Sequence, residues 1–388
     1  MAIAPGEIVD AFREHFPGAA TPELYRAPGR VNLIGEHTDY NLGYVFPIAL
    51  EMACYVAIAP ATHGKLRVYS RDRHEEFSIE AAGIPDAQPL RQWSDYVVGV
   101  AQKLHRAGSS IPSADLYIET EVPGGSGLSS SAALEISTAY ALLGNRKMAP
   151  LDIALLGQRA EVEFVGMPCG IMDQYASVFG RKNAAIRIDC RSTTHEYVTL
   201  PQDVKIVAVN SMVKHELGTS AYRDRVAECR EAVAALRRFD PKVESLRDVS
   251  LPFFEEVEDR IPSLPRSRAR HIITDSQRVL DLSEAAAKND LPEMGRLFIA
   301  SHRSMQYDYE ISCEEIDFLV DTAIKIPGVY GARMTGGGFG GCTVNLVAPA
   351  AVDNFREQLA EAYRKQYEIV PAFYDCEPAD GAGPVSYK

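Results

Sequence analysis

Strongly polar side chains crowd together in Arg30-Val31-Asn32-Leu33-Ile34-Gly35-Glu36-His37-Thr38-Asp39-Tyr40-Asn41, behind a short run of strand-forming residues. Carboxylates and an imidazole at this spacing can hydrogen-bond adjacent hydroxyls in pairs. That chemistry suits a sugar, because a missing hydroxyl would leave buried groups unpaired and the wrong ligand would be rejected. A metal held by Glu36, His37 and Asp39 is the competing idea. It ranks lower, since neighbours on a strand point to opposite faces and no His-rich segment elsewhere completes a zinc set. A plain polar turn is the blandest alternative.

A second run, Pro123-Gly124-Gly125-Ser126-Gly127-Leu128-Ser129-Ser130-Ser131, follows a predicted strand over Leu116 to Val122 and directly precedes a helix. Strand, glycine loop and helix make phosphate-binding geometry. Small residues let the backbone approach an anion, and the unpaired N–H groups of the helix's first turn point at it with the helix dipole behind them. Serine hydroxyls add donors and can reach a magnesium ion. The run is not a P-loop, because Leu128 stands where that pattern needs Lys. A helix cap after a flexible turn explains the same residues without function.

Gly336-Gly337-Gly338-Phe339-Gly340-Gly341 formally satisfies G-x-G-x-x-G. A dinucleotide fingerprint must follow a strand and open a helix, whereas Cys342 to Val347 continues as a strand. A hairpin turn accounts for one or two of these glycines but not for five in six positions.

The elements that must position these runs mix strand and helix. Val31 to Ile58 reads as several short strands, and Leu66–Tyr69 with Glu76–Ile79 as a strand pair around the charged turn Arg71 to Glu75. Apolar spacing predicts helices over Tyr96–Leu104, Ser129–Leu143, Leu151–Val165 and Met172–Phe179, with Gly108, Gly144 and Gly166 as stops. Strands are expected at Ala184–Ile188, Tyr197–Leu200 and Lys205–Val209. Helices follow over Ser220–Phe239, Ala269–Lys288 and Met294–Met305, broken by a Pro-rich turn from Ile261 to Pro265, and a strand over Thr343–Val347 comes late.

Bulk composition bounds the function. With 388 residues, 46% hydrophobic and 24% charged, the chain exceeds what one core usually serves, so two packed domains are expected, 1–205 and 206–388. A net charge of -13 without a basic stripe argues against nucleic acid. An acidic protein that handles an anion must build its positive field locally, from amides, one or two Arg residues and a metal ion. Seven scattered cysteines without a C-x-x-C pair read as reduced thiols. No signal peptide or membrane span is apparent, and a cytoplasmic address is the simplest expectation.

Taken together, the three runs resemble the signature motifs of the GHMP superfamily of small-molecule kinases, and Gly29 to Asn41 resembles the signature of its galactokinase branch. The likeness extends through Met167 to Gln174, Ser301 to Ile311, and Arg333-Met334-Thr335 with the glycines, covering nearly the whole chain. It implies an α+β, two-domain fold with mixed sheets and the active site in the cleft between the domains.

The resemblance also implies roles. Asp173 would lie beside the accepting hydroxyl with Arg30 next to it, and Glu36, His37, Asp39, Gly170 and Tyr222 would line a sugar pocket. Trp93 and Tyr96 would flank adenine. Gly125, Ser126, Gly127, Leu128, Ser129, Ser130 and Ser131, with Gly337 and Gly338, would hold ATP, and Ser130 or Ser131 with Glu161 would hold Mg2+. The implied reaction moves the γ-phosphoryl group of ATP to the C1 hydroxyl of a galactose-like sugar. Whether Asp173 is a true base or orients the hydroxyl stays open at this point, as does the oligomeric state.

Rival readings are a kinase for N-acetylgalactosamine, galacturonate or arabinose, a non-catalytic galactose sensor, and a dehydrogenase. The sensors lack the Ser-Ala step that this chain keeps at Ser131-Ala132. The departures from the commonest family wording, at Val122 to Ser126 and Asn41-Leu42-Gly43, remove no side chain with an assigned role.

Overall fold

The computed structural model describes the backbone of residues 3–214 and 218–387. In the first half, α1 (Pro5–His15), β1 (Glu23–Asn32), β2 (Tyr44–Val45), β3 (Pro47–Pro60), β4 (Lys65–Ser70) and β5 (Glu75–Glu80) lead into α2 (Ser94–Arg106) and β6 (Ala114–Thr120). There follow α3 (Ser130–Leu143), α4 (Pro150–Ala160), α5 (Met172–Phe179), β7 (Ala184–Asp189) and β8 (Thr194–Thr199).

The second half contains β9 (Lys205–Lys214), α6 (Gly218–Leu236), α7 (Leu251–Val257), α8 (Ser263–Ala287), α9 (Leu291–Tyr307) and α10 (Glu314–Ala323). It closes with β10 (Val329–Thr335), β11 (Gly340–Val347), α11 (Val352–Tyr367), β12 (Ala372–Asp375) and β13 (Gly383–Pro384).

Three sheets result, in the orders β13-β1-β3-β6-β4-β5, β10-β11-β9-β12 and β2-β7-β8. Where several short strands were expected between Val31 and Ile58, the end of β1 and the two-residue β2 are followed by one long strand, β3, and the polar run from Leu33 to Gly43 is turn and a short 3-10 helix rather than strand. The reason is burial on both faces of β3. Cys54, Val56 and Ile58 point into the main core, while Ala53, Tyr55, Ala57 and Ala59 pack under α1 with Phe12. A strand covered on both sides reads as a continuous apolar run, which hides its length and its period.

β11 behaves the same way, with every residue buried. Cys342, Val344 and Leu346 join the main core, and Val347 with Val207 and Val209 packs against α10 and α11. The glycine cluster is therefore the loop of the antiparallel hairpin β10–β11. The short hydrophobic repeats of α1, α7, α10 and α11 did not stand out in the sequence. α8 begins at Ser263, so Pro265 lies inside its first turn, where a missing N–H costs nothing. The chain's end returns to the first sheet, where β13 pairs with β1.

Candidate active site

The three polar or glycine-rich runs converge on one cleft of about 440 Å³. Its walls include Arg30, Glu36, His37, Asp39, Tyr96, Gly125, Gly127, Ser129 to Ser131, Glu161, Asp173, Tyr222 and the stretch Thr335 to Gly341.

At its centre, the Arg30 guanidinium on β1 meets the Asp173 carboxylate in the first turn of α5 side-on, with Nε and Nη2 each 2.8 Å from an oxygen. Bidentate pairing of this kind fixes both groups in one plane. The other Arg30 nitrogen donates to Gly127 O at 2.5 Å, and its backbone N–H donates to Leu128 O. Arg30 is buried, whereas the Asp173 side chain keeps about 25% exposure toward the cleft. One arginine thus ties the first run to the phosphate-type loop and to Asp173.

Ser129 links the same groups from the other side. Its backbone is left-handed (φ 63°) just before α3, and its hydroxyl donates to Asp173 Oδ2 at 2.5 Å. This link to Asp173 has no counterpart among the sequence-level expectations, which gave Ser129 only an ATP-side role.

Around this centre sits an excess of buried carboxyl groups. Asp39 is pushed up to about 6, chiefly by burial and then by the negative charge of Asp173. Glu161, at the start of the π-type turn Glu161–Val165 that closes α4, is pushed up to about 7 by the same two causes. Glu135 lies deeper, raised well above the carboxylate range by burial, and Gln174 donates to both Glu135 and Glu161. A wall of carboxylates whose negative form is disfavoured by burial and mutual repulsion is one that a cation relieves.

The donors present fit magnesium, a hard ion that takes one or two protein oxygens and completes its shell with water and phosphate. Glu161 accepts a hydrogen bond from the Ser131 hydroxyl, and both residues line the cleft with Ser130. Among the described residues no group of three or more His, Cys, Asp or Glu could hold a metal ion. Glu161 and a serine hydroxyl would supply a cation with one or two of its oxygens.

Gly170 shows why no side chain fits at its position: a Cβ there would lie 2.1 Å from Asp39 Oδ2. Asp39 is further held by the backbone N–H of Tyr40 at 2.9 Å. Gly127 and Gly336 face each other in the same manner, with a Cβ on Gly336 meeting Gly127 atoms at 3.0 Å. The glycines of the two loops are what lets their backbones touch, which answers why one or two turn glycines would not suffice.

Several expected residues also make contacts within the protein. Glu36 lies on the cleft wall, but its carboxylate is gripped by the fully buried Arg333 and by the Gly336 N–H at 3.2 Å. Burial raises Glu36 against the pull of Arg333. His37 spends both ring nitrogens on protein partners.

Ser126 donates its hydroxyl to Pro123 O and accepts from Leu128 N–H, so these two build the loop from inside. Leu128 is fully buried. Tyr96 lines the cleft, whereas Trp93 packs on the main core and donates its indole N–H to Glu75 at 2.6 Å. Trp93, Ser126, Leu128 and Gly170 are not among the residues lining the cleft. In the sequence Arg333 stands out only within Arg333-Met334-Thr335, and its distance from Glu36 conceals the pairing.

Comparison with known proteins agrees with this geometry. Residues 10–60 match the galactokinase galactose-binding signature, 95–181 the GHMP kinase N-terminal domain and 282–365 the GHMP kinase C-terminal domain. The chain is 44% identical to the galactokinase of Roseiflexus sp. (strain RS-1) over 98% of its own length and 97% of that protein's. The chain belongs to the galactokinase family.

A galactokinase from Chloroflexus aurantiacus is 43% identical over 91% of this chain and 90% of that protein. The crystal structure of Lactococcus lactis galactokinase complexed with galactose superposes with a TM-score of 0.94 at 34% identity, covering 98% of this chain and 99% of that one. Methanococcus jannaschii mevalonate kinase, at 17% identity and a TM-score of 0.64, shares the fold alone. The galactokinase fold thus carries the α+β, mixed-sheet architecture with N- and C-terminal GHMP domains. No described helix is long and apolar enough to cross a membrane.

Proposed function

We infer that this chain is an ATP-dependent sugar 1-kinase that transfers the γ-phosphoryl group of ATP to the C1 hydroxyl of galactose, giving galactose 1-phosphate and ADP. The observation that carries the reading is the placement of Asp173, on Arg30 and Ser129, between the carboxylate-lined wall at Asp39 and the serine-rich loop at Ser129 to Ser131.

Phosphoryl transfer runs through a loose transition state, so alignment and charge stabilisation supply most of the catalysis. In the proposed reaction, Asp173 accepts a hydrogen bond from the C1 hydroxyl and aims its oxygen at the γ-phosphorus. Both Asp173 oxygens already accept from Arg30 or Ser129, which holds the carboxylate in place for the incoming hydroxyl. The attacking hydroxyl becomes acidic only as the new P–O bond forms. Asp173 then orients first and takes the proton late.

The amides at the start of α3 and of the Gly337–Gly338 loop would meet the charge that spreads over the phosphoryl oxygens. Ser130 or Ser131 and Glu161 would hold Mg2+, which when bound neutralises phosphate charge. Tyr96 would flank adenine, and Asp39, with Gly170 against it and Tyr222 across the cleft, would take the sugar's hydroxyls. The domain division at about residue 205 and a cytoplasmic address belong to the same proposal.

ADP release measured with ATP and a panel of galactose, N-acetylgalactosamine, galacturonate and arabinose tests it. Galactose should be turned over best. Turnover of none of the four overturns the reading.

A further inference from the structure

The His37 ring makes two hydrogen bonds inside the protein. Its Nε2 lies 3.2 Å from the Gly337 carbonyl and its Nδ1 lies 2.7 Å from the Tyr40 hydroxyl. A carbonyl only accepts, so Nε2 must carry the hydrogen and Nδ1 must accept from Tyr40.

The direction of every further link follows. Tyr40, having donated to His37, accepts from the Tyr309 hydroxyl at 2.7 Å, and Tyr309 in turn accepts from the Cys229 thiol at 3.0 Å. Asn41 closes the set by donating its Nδ2–H to the His37 carbonyl at 2.9 Å and to Cys229 Sγ at 3.5 Å. Tyr40, Tyr309 and Cys229 do not line the cleft; they stand behind it, and Tyr309 and Cys229 are buried. The one carbonyl at the end of the chain fixes the orientation of each group back to the thiol.

Gly337 sits in the hairpin loop between β10 and β11, where Gly336 and Gly338 adopt left-handed backbone and offer no side chain for anchorage. That loop is held by the Gly336 N–H on Glu36, the Phe339 N–H on Ile311 O, and the Gly337 carbonyl on His37. Two of the three anchors come from the run that carries the sugar-facing residues.

We propose that His37 is a positioning residue for the nucleotide-side glycine loop, its Nε2–H tautomer set by the Gly337 carbonyl and reinforced by the Tyr40 hydroxyl at Nδ1, so that the sugar-side run and the loop move as one body. The proposal rests on the kinase reading for what the loop contacts. Burial pulls the His37 imidazole down to about 3, so the tether is neutral throughout the working pH range. A functional consequence follows: loosening that tether should weaken nucleotide binding while sparing the sugar's own contacts.

The test has two arms, neither of which needs turnover. Nitrogen-15 NMR of the wild-type chain, with the His37 signals assigned through His37→Gln, should show a pure Nε2–H tautomer. In Tyr40→Phe, which removes the donor to Nδ1, a mixture should appear, and the ADP dissociation constant should rise about tenfold, the scale of one buried hydrogen bond. The galactose dissociation constant without nucleotide should stay within about twofold, as for substitutions that leave a site's own contacts in place.

An Nδ1–H tautomer in the wild type overturns the proposal, and that arm stands even if Tyr40→Phe does not fold. So does a Tyr40→Phe protein whose ADP affinity is unchanged or whose galactose affinity falls as much. Failure of the wild type to phosphorylate galactose would instead strike the kinase reading, leaving the tautomer result to stand alone.

Discussion

Asp173 receives Arg30 through two parallel hydrogen bonds of 2.8 Å and Ser129 through one of 2.5 Å, yet its side chain still opens on the cleft. A carboxylate so held cannot turn away from an incoming hydroxyl. Replacing it with Asn keeps the shape and removes the charge. Asp173→Asn should lower kcat by about 10²–10⁴ while ADP and galactose dissociation constants change little. Pre-steady-state kinetics with isothermal titration checks it, and near-normal turnover would remove Asp173 from the mechanism.

Gly170 abuts Asp39 so closely that even a methyl group must displace the carboxylate. Gly170→Ala should therefore act on the sugar through Asp39, raising the galactose KM about tenfold or more, the scale of a lost hydrogen bond to a charged group. ATP affinity should hold. Equal losses for both substrates would place the effect elsewhere.

How much of this was legible beforehand depends on how far apart the partners lie in the chain. The Met172–Phe179 helix, the strand pair around Arg71 to Glu75, and the placement of a serine-rich loop before α3 follow from local spacing, which the sequence displays directly. The length of β3 does not, because both its faces are buried and its pattern carries no alternation. The work of Glu36 escaped for a related reason: its partner Arg333 stands 297 positions away, and an ion pair leaves no periodic trace. The second use of Ser129 depends on a left-handed turn that a Ser does not advertise.

The Glu36–Arg333 pair is a stability element as much as a site element. Arg333→Met leaves a buried carboxylate without its counter-charge, at a cost of about 3–5 kcal/mol. Its midpoint in urea should drop accordingly, and adding Glu36→Gln should restore a large part. A single variant as stable as wild type would contradict the buried pairing.

Acidity should act in two separable steps. Asp39, pushed up to about 6 by burial and then by Asp173, loses its charge below that value, so galactose kcat/KM should fall as pH drops through 6. Glu161, pushed up to about 7 by burial and then by Asp173, must release a proton to take a cation. Mg2+ affinity should weaken below pH 7, with proton uptake by the buffer on binding.

The sign for folding is opposite. A carboxyl group raised in the folded state stabilises it at low pH, and that contribution is lost as pH climbs from the unfolded value through the folded one. Asp39→Asn should consequently raise the Tm of the ligand-free protein at pH 8 and have little effect at pH 4. An unchanged Tm at pH 8 would argue that Asp39 is not strained by burial.

The account turns on a hydroxyl at C1 being the one carried to Asp173. Phosphorus-31 and proton NMR of the product from galactose and ATP measures this directly. The expected result is a single sugar phosphate whose phosphorus couples to the anomeric proton, formed one for one with ADP. Phosphate on C6 or any other carbon, or ADP formed without a sugar phosphate, would contradict the arrangement of Arg30, Asp173 and Asp39 proposed for this cleft.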